Sequence, residues 1–188
     1  RTTPTTFRCC VQVATEARAT ATTRTFALPM DDRIEVLKEG PEHAFANWPV
    51  NAVPAVAAGV YTIWGNDRLI YVGMSGRGAT ERILDEKRRE GASFGLFTRL
   101  ASHASGRRSG DQFCVYVADY LVLAELTAEQ ITAISSRELL FDNLIREYIH
   151  DHLTFRFMET RRGDEALGIE AEIKSGSLGQ KPSLNPAD

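Results

Sequence analysis

Residues 59–73 read Gly-Val-Tyr-Thr-Ile-Trp-Gly-Asn-Asp-Arg-Leu-Ile-Tyr-Val-Gly. Apolar and β-branched residues flank a Gly65, Asn66, Asp67 turn, the pattern of a β-hairpin. A three-residue turn over 65–67 sets Trp64 facing Arg68 and places Tyr61 directly opposite Tyr71 on one face. A two-residue turn would put the two rings on opposite faces. Two tyrosines side by side are either a cross-strand packing pair or two phenols aimed at a substrate.

Around this hairpin the chain reads as one domain with room for a sizeable core: 188 residues, 43% hydrophobic and 25% charged. No apolar run approaches membrane-spanning length. Cys9, Cys10 and Cys114 form no even disulfide framework and have no zinc or thioredoxin spacing, so a reducing cytoplasm is expected. Among His43, His103, His150 and His152 no pair has metal-ligand spacing; His150 and His152 suit a helix C-terminus. The net charge of −3 does not advertise nucleic-acid binding, but its distribution is uneven. Residues 67–108 hold nine basic and five acidic side chains, whereas 110–188 hold seven and fourteen. Positive charge therefore gathers just after the hairpin. Arg107 and Arg108 sit on a Ser-Gly-rich loop suited to phosphate contact or simply to solvent, and Lys87, Arg88 and Arg89 read as a solvated helix face.

Residues 1–28 are rich in Thr, Ala and Arg, a transit-peptide-like composition, and are expected to form a disordered extension. Residues 29–56 read as a lead-in anchored by Phe45, Trp48 and Val50. Helices are expected over 81–90 and 94–104, a core strand over 113–123, and a capping box at Thr127-Ala128-Glu129-Gln130 opening helices to about residue 150. A strand over 153–160 and a helix over 164–175 follow. The fold class is α+β: a small, mainly antiparallel sheet, opened by the hairpin and flanked by helices.

Two helical positions stand out. Leu96, Arg99, Leu100 and His103 recur at spacings of three and four, so Arg99 and His103 share a face. On the 164–175 helix, Ala166, Leu167, Ile169 and Ile173 form an apolar stripe with Glu170 inside it. A carboxylate aimed into an apolar face needs an ion-pair partner, such as a buried arginine, or a cation.

Gly59-Val60-Tyr61 and Tyr71-Val72-Gly73 at this spacing resemble the signature of the GIY-YIG nuclease family, with Val for Ile in both halves. The rest of the family pattern follows in order. Arg99 with His103 matches its helix arginine and histidine, Glu170 its helix glutamate, and Asn185 after Pro182 its asparagine. The resemblance covers residues 57–186; the Arg99 match needs an insertion after Gly73, while Arg82 sits nearer the usual distance but lacks the histidine one turn on.

The resemblance implies a stand-alone catalytic domain over 57–188 with a GIY-YIG nuclease-like fold, hydrolysing DNA phosphodiester bonds with a divalent metal. Glu170 would hold Mg²⁺, with Mn²⁺ able to substitute, the remaining positions going to waters and phosphate oxygens. Tyr61 would be the general base, Tyr71 would position phosphate or water, and Arg99 and His103 would stabilise phosphate charge. Gly59, Gly73 and Asn185 would support the site, and Arg77, Arg82, Arg107 and Arg108 would contact double-stranded or branched DNA. A partner protein could supply targeting. The alternatives are a nucleic-acid-binding module without cleavage and a protein-interaction domain on the same fold.

Overall fold

A computed structural model describes residues 30–185; the 1–28 extension, with Cys9 and Cys10, lies outside the described residues. The elements run α1 (Met30–Glu39), β1 (His43–Ala44), a 3-10 turn (Phe45–Asn47), β2 (Val56–Gly65), β3 (Arg68–Ser75), α2 (Glu81–Arg89), β4 (Phe94–Gly95), α3 (Leu96–Ala104) and α4 (Gln112–Val117). After α4 come a π-helical turn (Ala118–Val122), a 3-10 turn (Leu123–Glu125), α5 (Ala128–Ser135), α6 (Phe141–His152), β5 (Thr154–Thr160) and α7 (Gly163–Ser175). The sheet order is β1-β5-β2-β3, antiparallel throughout, with β4 adding a short parallel pairing to the start of β2. The expected α+β class, a small antiparallel sheet between helices, is the observed one.

β2 is the central strand, and every side chain from Val56 to Trp64 is buried. One face packs Tyr61 and Ile63 with Leu96, Leu100, Phe113, Ile145 and Ile149 of α3, α4 and α6. The other packs Val60, Trp64 and Val72 with Leu37 of α1 and Ile169 and Ile173 of α7. Each such fully buried apolar side chain contributes about 1.5–3 kcal/mol relative to exposure. The lead-in segment takes part in this core: Leu37 and Phe45 are fully buried, and the Leu37 carbonyl accepts the Thr62 hydroxyl at 2.7 Å.

The hairpin turn differs from the expected one. Gly65 pairs with Arg68 and Trp64 with Leu69, leaving a two-residue turn at Asn66 and Asp67. Both have positive φ, 51° and 61°, the type I′ geometry that matches strand twist and that Asn and Asp tolerate. The register then shifts: Ile63 pairs with Tyr71, Thr62 with Val72 and Tyr61 with Gly73. Ile70 is the extra residue of a β-bulge. Ile70 and Tyr71 consequently both join the α3–α4 side of the sheet, while Leu69 and Val72 lie on the α7 side. Tyr61 thus faces Gly73 rather than Tyr71, yet the two tyrosines share a face, as diagonal neighbours with ring centroids 6.5 Å apart.

Residues 113–123 are helical, not a strand. The Asp111 side chain caps α4 by accepting from Phe113 N and Cys114 N, and Phe113, Cys114, Val117 and Ala118 are buried at helical spacing. The segment is so uniformly apolar that alternation and helical period both fit it, and the cap decides. On α7, Ala166, Ile169, Glu170 and Ile173 are buried as expected, but Leu167 is exposed.

The C-terminal segment closes the β3 edge. Ser183 N and Leu184 N donate to the carbonyls of Leu69 and Ile70. Asn185 accepts from Val72 N at 2.8 Å and donates to Val72 O at 2.9 Å, so one side-chain amide serves both backbone groups as a neighbouring strand would. The Asn185→Ala variant is expected to lose about 1–3 kcal/mol of stability, the cost of stranding part-buried backbone groups. Urea titration of the two proteins measures it, and an unchanged midpoint would show that water replaces the amide at no cost.

Candidate active site

The hairpin face that carries both tyrosines opens, beside β3, into a groove of about 280 Å³. Gly73 lets this happen. A Cβ at 73 would fall on the Tyr61 hydroxyl and ring, so only glycine leaves the space in which the Tyr61 phenol lies. Gly59, opposite Ser75, faces a similar limit, since a side chain there would meet the Met158 carbonyl and Leu96.

α3 supplies the next two groups one turn apart. Arg99 is exposed at the groove, and His103 is buried beneath it. Tyr61 Oη lies 2.7 Å from His103 Nε2, and His103 Nδ1 lies 2.7 Å from Asp111 Oδ2. The other Asp111 oxygen accepts from Phe113 N at 3.1 Å and Cys114 N at 3.4 Å. Tyr71 and His103 pack on the Phe113 ring, with centroids 5.1 and 4.6 Å away.

Burial disfavours charge along this chain. It lowers the His103 imidazole despite the opposing pull of Asp111. Burial also raises the Tyr61 phenol well above its ordinary value, with Tyr71 adding to the rise and Arg99 opposing it. Tyr71 is pushed up to about 12, by burial first and then by Glu170. Burial would raise the Asp111 carboxyl too, but its hydrogen bond to His103, the His103 charge, the Ser102 hydroxyl and the Cys114 amide hold it below the ordinary carboxylate value. The resting state is therefore Tyr61 O–H donating to Nε2 of a neutral imidazole whose Nδ1–H donates to the Asp111 carboxylate. Such a chain can pass the phenolic proton to His103 while Asp111 stabilises the imidazolium.

Glu170 reaches the groove from α7, in the opposite helical layer. Its residue is 9% exposed, and its ion-pair partner is Lys174, one turn on, at 3.4 Å rather than a buried arginine. No group of three or more His, Cys, Asp or Glu side chains placed for a metal occurs among the described residues. A single acidic ligand beside an open groove still fits a hard divalent ion that keeps several waters and takes substrate oxygens.

The remaining expected residues divide. Arg77 lines the groove from the loop after β3. Arg82 is exposed on α2 and Arg107 on the turn after α3, and neither lines the groove. Arg108 is held elsewhere, 2.7 Å from Asp142 and stacked 4.9 Å over Phe141. Asn185 binds the β3 backbone rather than the groove. Asp111 was not among the sequence candidates; an Asp before an apolar run is a helix-cap signature, but a strand reading of 113–123 leaves no helix to cap. A larger recess, about 520 Å³, lies at the turn end around Asp67, His152 and Arg156. Its charges are mixed, and Arg156 is already bound to Glu42 at 2.6 Å and to the Gly40 carbonyl at 3.1 Å. The smaller groove holds the connected chemistry.

The buried imidazole makes stability pH-dependent. The unfolded chain protonates His103 near 6.5, whereas the folded protein resists until lower pH, so stability falls as pH drops from about 6.5 toward the folded value. His43, also lowered by burial, adds to the same window, while Asp111 adds its loss only below its ordinary 3.8. Urea titrations from pH 8 to 4 should show a plateau above 7 and a decline below, and His103→Gln should remove part of the decline between 6.5 and 4. An identical decline in that variant would mean that His103 is not lowered.

Compared with protein-family models, with curated proteins and with solved structures, the chain has no match.

Proposed function

We propose that this protein is a divalent-metal-dependent endonuclease that hydrolyses DNA phosphodiester bonds at the Tyr61 groove, with a site of the GIY-YIG type. The observation that carries the reading is the buried Tyr61–His103–Asp111 hydrogen-bond chain, ending at a groove that also holds Arg99 and Glu170. Packing alone does not call for a continuous proton path aimed at a polar groove, with a cation and a carboxylate beside it.

In this mechanism His103 Nε2 takes the Tyr61 proton, and Asp111 stabilises the imidazolium. The Tyr61 oxygen takes a proton from water as that water's oxygen bonds to phosphorus. The bond to the leaving oxygen breaks, and that oxygen is protonated from solvent. Arg99 offsets the charge that grows on the non-bridging oxygens, with a guanidinium suited to paired contacts. Tyr71, still protonated, donates to the phosphate or the water. Glu170 would hold Mg²⁺ or Mn²⁺, which supplies Lewis-acid polarisation of the phosphate. The free Cys114 thiol suits a reducing cytoplasm.

A protein-interaction role is favoured by one feature: Tyr120, Leu123, Ile131 and Leu140 are exposed on the α4–α6 segment, and α5 buries none of its residues. A plasmid-nicking assay with Mg²⁺ or Mn²⁺ separates the two. Glu170→Ala and Tyr61→Phe are expected to abolish nicking with the fold retained by circular dichroism, and Asp111→Asn to slow it about 10²–10⁴-fold. Normal cleavage by Glu170→Ala would sink the nuclease reading, as would absence of nicking by the wild-type protein across DNA forms.

A further inference from the structure

Ser75 ends β3 on the same face as Tyr61, paired with Gly59. It is 5% exposed, and its hydroxyl is the one buried side-chain polar atom without a hydrogen-bond partner among the described residues. A buried, unsatisfied hydroxyl lowers stability, and folded proteins rarely keep one without a use.

Ser75 lines the Tyr61 groove and also a second recess of about 260 Å³ that adjoins it. The two share Ser75, Gly76, Arg77 and Arg99. Of the other hydroxyls in the second recess, Thr98 is spent on the Gly95 carbonyl at 3.0 Å and Ser102 on Asp111. Neither Arg77 nor Arg99 makes a salt bridge among the described residues, so both guanidiniums at the shared wall are open to an anion. Phe94 lines the recess, an apolar surface of the kind a nucleoside needs beside its phosphate.

Resting on the nuclease reading of the groove, we infer that this second recess is a subsite for a phosphate adjacent to the scissile one, held by Ser75 Oγ–H and Arg77, with Arg99 placed between the two phosphates. The groove then recognises consecutive phosphates of one strand, so the substrate is a polynucleotide rather than an isolated diester. No base is read by these groups, and the subsite sets position rather than sequence.

The test uses the full chain in EDTA, where nothing is cleaved, and measures binding of three thymidine dinucleotides: without a terminal phosphate, with a 5′-phosphate and with a 3′-phosphate. One phosphorylated form is expected to bind about tenfold or more tighter than the bare one, the size of a charge-assisted contact. Ser75→Ala and Arg77→Ala should each bring that ratio toward one, while Arg68→Ala, at the far turn, should leave it unchanged. Ser75→Ala should also melt at the same or higher temperature, because it removes an unpartnered group. Equal affinities for the three dinucleotides, or none measurable, would overturn the subsite, as would an unchanged ratio in both variants. Plasmid nicking is scored separately. A ratio that behaves as expected in a protein that never nicks leaves the subsite and removes the hydrolase; nicking without the preference does the reverse.

Discussion

The site depends on the side of the sheet to which Tyr71 points, and that is set by one extra residue in β3. A side chain's face alternates with every residue, so a two-residue turn with regular pairing would put Tyr71 opposite Thr62 on the α7 side. The bulge at Ile70 reverses this parity between the turn and Tyr71. Beyond it, Tyr71, Gly73 and Ser75 all lie on the face that carries Tyr61, with α3 and α4 packed over it. The C-terminal segment bonds to β3 at Leu69, Ile70 and Val72, across the bulge and the residues around it. These bonds hold the irregular stretch in one register where an unpaired edge could slip.

The second constraint is electrostatic. Tyr61, His103 and Asp111 are all nearly fully buried, so each polar atom among them needs a partner. The chain meets that need end to end: phenol to imidazole, imidazole to carboxylate, carboxylate to the first amides of α4. One residue therefore does two jobs. Asp111 fixes the imidazole tautomer and starts the helix whose Phe113 packs on Tyr71 and His103. The α4 cap and the orientation of the imidazole thus rest on the same carboxylate.

This coupling explains what was legible in the sequence. The hairpin, the Arg99/His103 face and the inward turn of Glu170 came from strong periodicities, and burial sets periodicity directly. The bulge left no mark, because Leu69, Ile70 and Tyr71 are all good strand residues and either face could hold any of them. The segment 113–123 misled for the opposite reason: apolar at nearly every position, it satisfies both periods, and only the Asp111 cap distinguishes them. Asn185 was expected to support the site, but its amide binds β3 instead, because the observed register leaves the Val72 backbone groups free.

What gathers at the groove is poorly placed for stability alone. Glu170 is buried with only a half-buried lysine beside it, Ser75 has a hydroxyl with no partner, and Arg77 and Arg99 make no salt bridge among the described residues. On the other side of the sheet and at its turn end, polar groups are paired: Thr62 on Leu37, Trp64 on Thr62, Arg156 on Glu42 and Gly40. At the groove these groups come from both helical layers, α3 on one side and α7 on the other. Two layers that meet only at an edge strand can present a carboxylate and a guanidinium to the same groove without pairing them to each other. That separation leaves the guanidinium open to an anion and the carboxylate open to a cation, the arrangement that the proposed metal-dependent phosphodiester chemistry needs.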